Sequence, residues 1–247
     1  MIRVEKDGRV ALLTLDRAER RNALGSAMIE RLDEALVELD ADAGVGAVVL
    51  SGAAPSFCAG SDLKELGRMD VAGMAHHEAV TAAVARRIAL LDKPVIAAVE
   101  GYAYGGGFIL ACSCDLVVSS SGAKWNLAEV PNGWLPPWGL QALLARVGPV
   151  NARRLTWGHE VLDGEQACRI GVADYLAPEG RALDQARSLA ERLAGLPAPA
   201  VASTKRFFAH HVAGGAETAD AATNRIFIEN CQHEAAKATL ARFGAKA

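Results

Sequence analysis

Two small-residue turns are the places where this chain can build chemistry from main chain alone. The run Gly101-Tyr-Ala-Tyr-Gly-Gly-Gly107 follows the apolar stretch Val95-Ile-Ala-Ala-Val99 and leads into Phe108-Ile-Leu-Ala111, which reads as a helix start. Helix starts carry unpaired N–H groups. A turn without side chains lets a reacting oxygen come close to such donors, which is how an oxyanion hole is made from backbone. The same glycines would also serve a tight turn or close packing. A second turn, Ala59-Gly60-Ser61, lies between the apolar run Val48-Val-Leu50 and a helical segment at 63–66. Both turns follow strands expected to be parallel neighbours, at the carboxyl edge where open α/β folds place ligands. Two amide donors can therefore converge on one carbonyl.

Other chemistries are missing from the sequence. The glycine run lacks the G-x-G-x-x-G spacing of a dinucleotide fold, and no G-K-[ST] phosphate loop occurs. His159-Glu160 and His233-Glu234 lack the second histidine of a zinc helix, so no metal site is expected. The pairs His76-His77 and His210-His211 read as solvated helix faces.

The elements that must hold these turns follow from apolar spacing. Residues 10–15, 47–51, 95–99 and 116–119 read as strands. Residues 26–40 read as an amphipathic helix on Ile29, Leu32, Leu36 and Leu39, and Val80, Val84, Ile88 and Leu91 mark another that stops before Pro94. Continuous apolar strands alternating with helices argue for a largely parallel sheet covered on both faces. Helical periods then run at 140–147, 151–157, 164–171 and 182–196, and again after Pro199 to Phe243, with 195–200 as a joint. The expected division is a core at 1–195 and a helical region at 196–247.

The 247 residues are 51% apolar and 22% charged, enough for a sizeable core, but only 5% aromatic, so backbones must pack closely through Gly and Ala. Lys+Arg 26 against Asp+Glu 29 gives a net charge of −3 without a basic stripe, which argues against a nucleic-acid partner. No apolar run reaches the roughly 20 residues of a membrane helix. The charged start Met1-Ile-Arg-Val-Glu-Lys-Asp7 does not read as an export signal. Five scattered cysteines without a C-x-x-C pair read as reduced thiols, and the expected location is the cytoplasm.

Four segments, in order, resemble the signatures of the crotonase superfamily, the enoyl-CoA hydratases and isomerases. They are Arg21-Asn-Ala-Leu24; Ser56-Phe-Cys-Ala-Gly-Ser-Asp-Leu-Lys64; Val95 through Gly107 with Cys114-Asp115; and Leu127-Ala-Glu-Val130 with Gly133-Trp-Leu-Pro136. The resemblance covers nearly the whole chain. It implies an α/β crotonase fold of repeated ββα units in two sheets, amending the single-sheet reading, with a C-terminal helical region that covers the site and builds a homotrimer or homohexamer. It implies an acyl-CoA thioester substrate and no separate cofactor.

By position, the resemblance assigns the oxyanion hole to the N–H groups of Ser61 and Gly106, and the catalytic carboxylate to Glu129. It lines the substrate pocket with Ala59, Gly60, Ser61, Asp62, Leu63, Lys64, Gly105, Gly106, Ile109 and Trp134, and makes Arg21 and Lys64 the contacts to the coenzyme A phosphates. Glu129 lies among Trp125, Leu127, Trp134 and Trp138, surroundings that raise a carboxyl's pKa toward the working pH. The departure is Ile109, where hydratases of the family carry a second glutamate. Without it the chain leans toward isomerisation of a 3-enoyl-CoA to a 2-enoyl-CoA. Hydration, decarboxylation and thioester hydrolysis are the alternatives, with RNA binding further off. Glu100 reads as structural, and Tyr102 and Tyr104 as pocket walls.

Overall fold

The computed structural model describes residues 1–244. Strands β1 (Ile2–Asp7) and β2 (Val10–Leu15) lead to helix α1 (Ser26–Ala41); β3 (Ala47–Gly52) leads to α2 (Leu63–Leu66) and α3 (Val71–Leu90). Next come β4 (Val95–Val99), β5 (Tyr102–Tyr104) and α4 (Gly106–Cys112), then β6 (Leu116–Ser120), β7 (Lys124–Asn126), α5 (Glu129–Asn132) and α6 (Leu140–Thr156). The chain continues through β8 (Leu162–Asp163), α7 (Gly164–Arg169), β9 (Tyr175–Ala177) and α8 (Ala182–Ala194), and closes with α9 (Ala198–Ala213), α10 (Ala216–Asn230) and α11 (Glu234–Gly244).

A six-stranded sheet has the order β1-β2-β3-β4-β6-β9, parallel except for the β1/β2 pair, and a smaller sheet has the order β5-β7-β8. The segment at Cys58 extends the small sheet through a parallel bridge to Ala103. Each of β3, β4 and β6 is thus followed by a short stretch in the small sheet and then a helix. This is the repeated ββα pattern.

Side-chain alternation divides the large sheet between two cores. Ala11, Leu13, Val48, Leu50, Ala97 and Val117 face the main core with α1, α3, α4 and α6. Val10, Leu12, Val49, Ile96, Ala98 and Val118 face Ala182, Ala186, Ala190 and Ala194 of α8. The alanine stripe lets α8 lie close on the sheet, where the aromatic-poor composition takes effect.

The helical periods at 140–147 and 151–157 are the two helical halves of α6, separated at Gly148, whose φ of 71° and ψ of 169° are not helical. The expected division at 195/196 falls in the turn between α8 and α9. α9 packs on α3 and α6, α10 on the same two helices, and α11 on α2 and α5. Buried Lys205 ties α9 to the core, its Nζ donating to Asp115 Oδ2 and to the Lys93 carbonyl, each at 2.7 Å. No helix among the described residues is long and apolar enough to cross a membrane.

Candidate functional site

Three pieces of the site leave the carboxyl ends of three neighbouring parallel stretches of the small sheet. Residues 59–61 follow Cys58, Gly105 and Gly106 follow β5, and Glu129 follows β7 after a two-residue connection. The sequence reading placed both turns after strands of the large sheet; the small-sheet stretches between are too short to show periodicity. Cys58 N–H donates to Tyr102 O and Tyr104 N–H to Cys58 O, both at 3.0 Å, so the first two turns leave the sheet side by side.

The segment Arg21–Leu24 aims the first turn. Leu24 N–H donates to Gly60 O at 2.8 Å and Asp62 N–H to Leu24 O at 3.0 Å, a parallel bridge that brackets Ser61. In such a bridge the N–H of the bracketed residue points away from its partner strand. Fully buried Asn22 fixes the loop before the turn, its Nδ2 donating to the carbonyls of Ala53 (2.8 Å), Ser56 (2.7 Å) and Phe57 (3.2 Å). Asp62 caps α2 by accepting from the N–H groups of Lys64 and Glu65, and pairs with Arg17 at 2.8 Å. Expected to line the pocket, its carboxyl is thus engaged in holding the turn.

The two turns touch. Gly60 has φ +88°, and a Cβ built on it would meet Tyr104 O at 2.8 Å and Gly106 N at 3.0 Å. Gly105 has φ +52°, and a Cβ there would lie 2.8 Å from Glu129 Oε1. A side chain at either position would push the turns apart or displace the carboxyl. Gly106 opens α4, so its N–H lacks a partner within the helix. Neither it nor the Ser61 N–H donates in the backbone network that ties these turns together.

Glu129 sets its carboxyl against the second turn, at Gly105. Its Oε2 is buried and has no hydrogen-bond partner among the described residues. Burial is the main cause that raises its pKa to about 7, and the charge of Glu78 adds to it. A carboxyl poised there can take and return a proton near neutral pH.

Glu78 was not found from sequence. It is 2% exposed on α3, and its Oε2 accepts from Trp138 Nε1 at 2.7 Å. Burial raises its pKa, while His77, Trp138 and Ser61 favour the charged form. A carboxyl spaced four residues from both Met74 and Ala82, on the apolar side of the helix, was the available signal. Its neighbour corrects the reading of a solvated histidine pair: His77 is 5% exposed, lies 3.2 Å through Nδ1 from Ser26 Oγ, and has no partner for Nε2. α3 is covered by α1 on one side and by the distant α10 on the other, so it buries two faces where periodicity suggests one.

Ile109 is buried in the main core, and a Cβ built on Gly139 would lie 2.0 Å from its Cγ2. Trp134 packs edge-to-face on Phe227 of α10, with centroids 6.0 Å apart, in a small cluster with Leu66 and Met74. Leu63 packs against that cluster. Lys64 is half-buried on α2; exposed Arg21 lies 5.8 Å over the Tyr102 ring, and its carbonyl accepts from Ala59 N–H at 3.0 Å. The backbone of both residues thus belongs to the framework of the first turn. Glu100 is structural, accepting from Ala182 N–H at 2.9 Å and Gly180 N–H at 3.3 Å. Among the described residues no three His, Cys, Asp or Glu side chains cluster to hold a metal ion.

Repeated ββα units, two touching amide turns and a neighbouring carboxyl define the crotonase class of α/β proteins. Within that class the chain belongs to the enoyl-CoA hydratase/isomerase family, whose model matches residues 5–247. It is 33% identical over 242 residues to a short-chain-enoyl-CoA hydratase of Clostridium acetobutylicum, covering 97% of this chain and 93% of that one. It is 34% identical over 192 residues to the 2,3-dehydroadipyl-CoA hydratase of Escherichia coli, covering 77% and 74%. The crystal structure of an enoyl-CoA hydratase/isomerase from Mycobacterium paratuberculosis shares the fold with a TM-score of 0.90, at 23% identity over 98% of this chain and 97% of that one.

Proposed function

We propose that this enzyme moves the double bond of a 3-enoyl-CoA to the 2-position through an enolate. The observation that carries the reading is the Glu129 carboxyl, one oxygen buried and unpartnered, against the Gly105 turn. In this reading the N–H groups of Ser61 and Gly106 hold the thioester oxygen. Glu129 takes a proton from C2, the C2–H electron pair becomes part of a dienolate, and the negative charge collects on the held oxygen. The protonated Glu129 then gives its proton to C4, so no proton is gained or lost overall. Each amide donor contributes about 3 kcal/mol to such a transition state. Ile109, apolar and buried, cannot supply the second carboxyl with which hydratases handle water. Coenzyme A enters as part of the substrate, with Arg21 and Lys64 near its phosphates.

Hydration is the second reading, favoured by the names of the relatives and by Glu78, a second carboxyl whose charge reaches Glu129. Side-by-side assays on a 3-enoyl-CoA and a 2-enoyl-CoA separate the two. Bond migration faster than hydration is expected. Rapid hydration without migration would replace the first reading with the second.

A further inference from the structure

Glu78 lies outside all four sequence segments that carry the site, yet it touches both halves of the site's framework. Its Oε2 accepts from the Trp138 indole at 2.7 Å, and Cζ2 of the same indole lies 3.0 Å from a Cβ built on Gly106. The Ser61 hydroxyl stands beside the same carboxyl. One buried side chain therefore braces the second amide turn through an indole and the first through a hydroxyl. No Lys or Arg pairs with it among the described residues. A buried carboxyl without a cation is costly, and a glutamine of the same shape could accept the indole hydrogen bond without that cost. The carboxyl must have a use.

We propose that Glu78 is a positioning residue of the acyl-CoA site: it fixes Trp138 and Ser61 against the two amide turns and carries a second negative charge within electrostatic reach of Glu129. The proposal rests on Glu129 being the base. Two neighbouring buried carboxyls resist carrying full charge together, so Glu78 keeps the proton on Glu129 up to higher pH. The other titratable groups that feel Glu78 are His77 on its own helix and Cys231 at the end of α10, whose thiol is pushed up to about 11 by burial and then by Glu78. Asp220, also on α10, is paired with Arg86.

The test is the titration of the Glu129 carboxyl, followed by 13C NMR of the full chain labelled at glutamate Cδ, with the signal assigned by Glu129→Gln. In Glu78→Gln, which keeps the shape and an acceptor but loses the charge, the Glu129 midpoint is expected to fall by about half a pH unit or more. The acid limb of kcat/KM should fall with it. Glu78→Asp keeps the charge but shortens the reach to Trp138, so it should keep the high midpoint while lowering kcat. An unmoved midpoint in Glu78→Gln, or equal shifts in both variants, would overturn the proposal. If Glu78→Gln does not fold, the wild-type protein still decides: coupled carboxyls titrate in two shared steps, and independent single-step curves for Glu78 and Glu129 would overturn it. The NMR readout needs no substrate. Loss of the isomerase reading would therefore leave it standing, and activity surviving in Glu129→Gln would move the base elsewhere.

Discussion

The raised Glu129 carboxyl has a direct kinetic consequence. If it is the base, only its deprotonated form is competent, and kcat/KM reports its ionisation in the free enzyme. With a pKa moved from 4.5 to about 7, the competent fraction is roughly nine-tenths at pH 8, one-tenth at pH 6 and one-hundredth at pH 5. The rate constant should therefore fall about tenfold between pH 8 and pH 6 and close to a hundredfold by pH 5. A carboxyl with its ordinary pKa would lose less than about a third of its competent form over the same range. The assay is the initial rate of 3-enoyl-CoA turnover at low substrate across pH 5–8, with folding checked by circular dichroism at each pH. A flat profile down to pH 5 would refute the claim that burial tunes this carboxyl.

Glu129→Gln should abolish most turnover while leaving acyl-CoA affinity within a few fold, as isothermal titration would measure. Because folding raises the Glu129 pKa, wild-type stability falls as pH rises from 4.5 through about 7. The Gln variant should therefore melt higher than wild type at pH 8, with the difference gone near pH 4.5; equal melting points at pH 8 would contradict the burial. Asn22→Ala leaves the buried carbonyls of Ala53, Ser56 and Phe57 without their donor and should cost about 2–4 kcal/mol in urea unfolding, with a lowered kcat as the first turn loosens; a loss below about 0.5 kcal/mol would show that the loop holds itself. Ile109→Glu places a carboxyl where Ile109 packs on Gly139 and should destabilise the fold by a few kcal/mol, while a folded variant should gain hydration of a 2-enoyl-CoA. A folded variant without that gain would count against the missing carboxyl as the reason for isomerisation.

Elements whose residues are buried by neighbours close in sequence were legible. The strands β2 and β4 and the helix α1 follow from continuous apolar runs and from 3-and-4 spacing, and the short helix at Leu63–Leu66 was found at its observed ends. The edge strand β1 was not, because Arg3, Glu5 and Asp7 are exposed and its hydrogen-bonding to β2 leaves no apolar signature. The strands β5, β7 and β8, two or three residues each, are too short for a period to register. In the site, the two amide turns were legible as glycine-rich gaps, whereas Glu129 was reached through motif resemblance. Glu78 and His77 escaped because elements distant in sequence cover α3, with Ser26 of α1 against His77 and α10, about 140 residues further along the chain, packed on the same helix. Local spacing carries no trace of such a distant cover.

That cover gives the last helices a share in the surroundings of these buried acids. α10 packs along α3, where Asn224 Nδ2 donates to the Ala75 carbonyl at 2.8 Å and Asp220 pairs with Arg86, and its Phe227 backs the Trp134 ring that follows the Glu129 helix. Peeling α10 away would admit solvent along that side of α3 and weaken the burial that raises the pKa of Glu78. The tail of the chain is in this sense a dielectric setting, and loosening it would turn a buried carboxyl back into an ordinary one before either amide turn had moved.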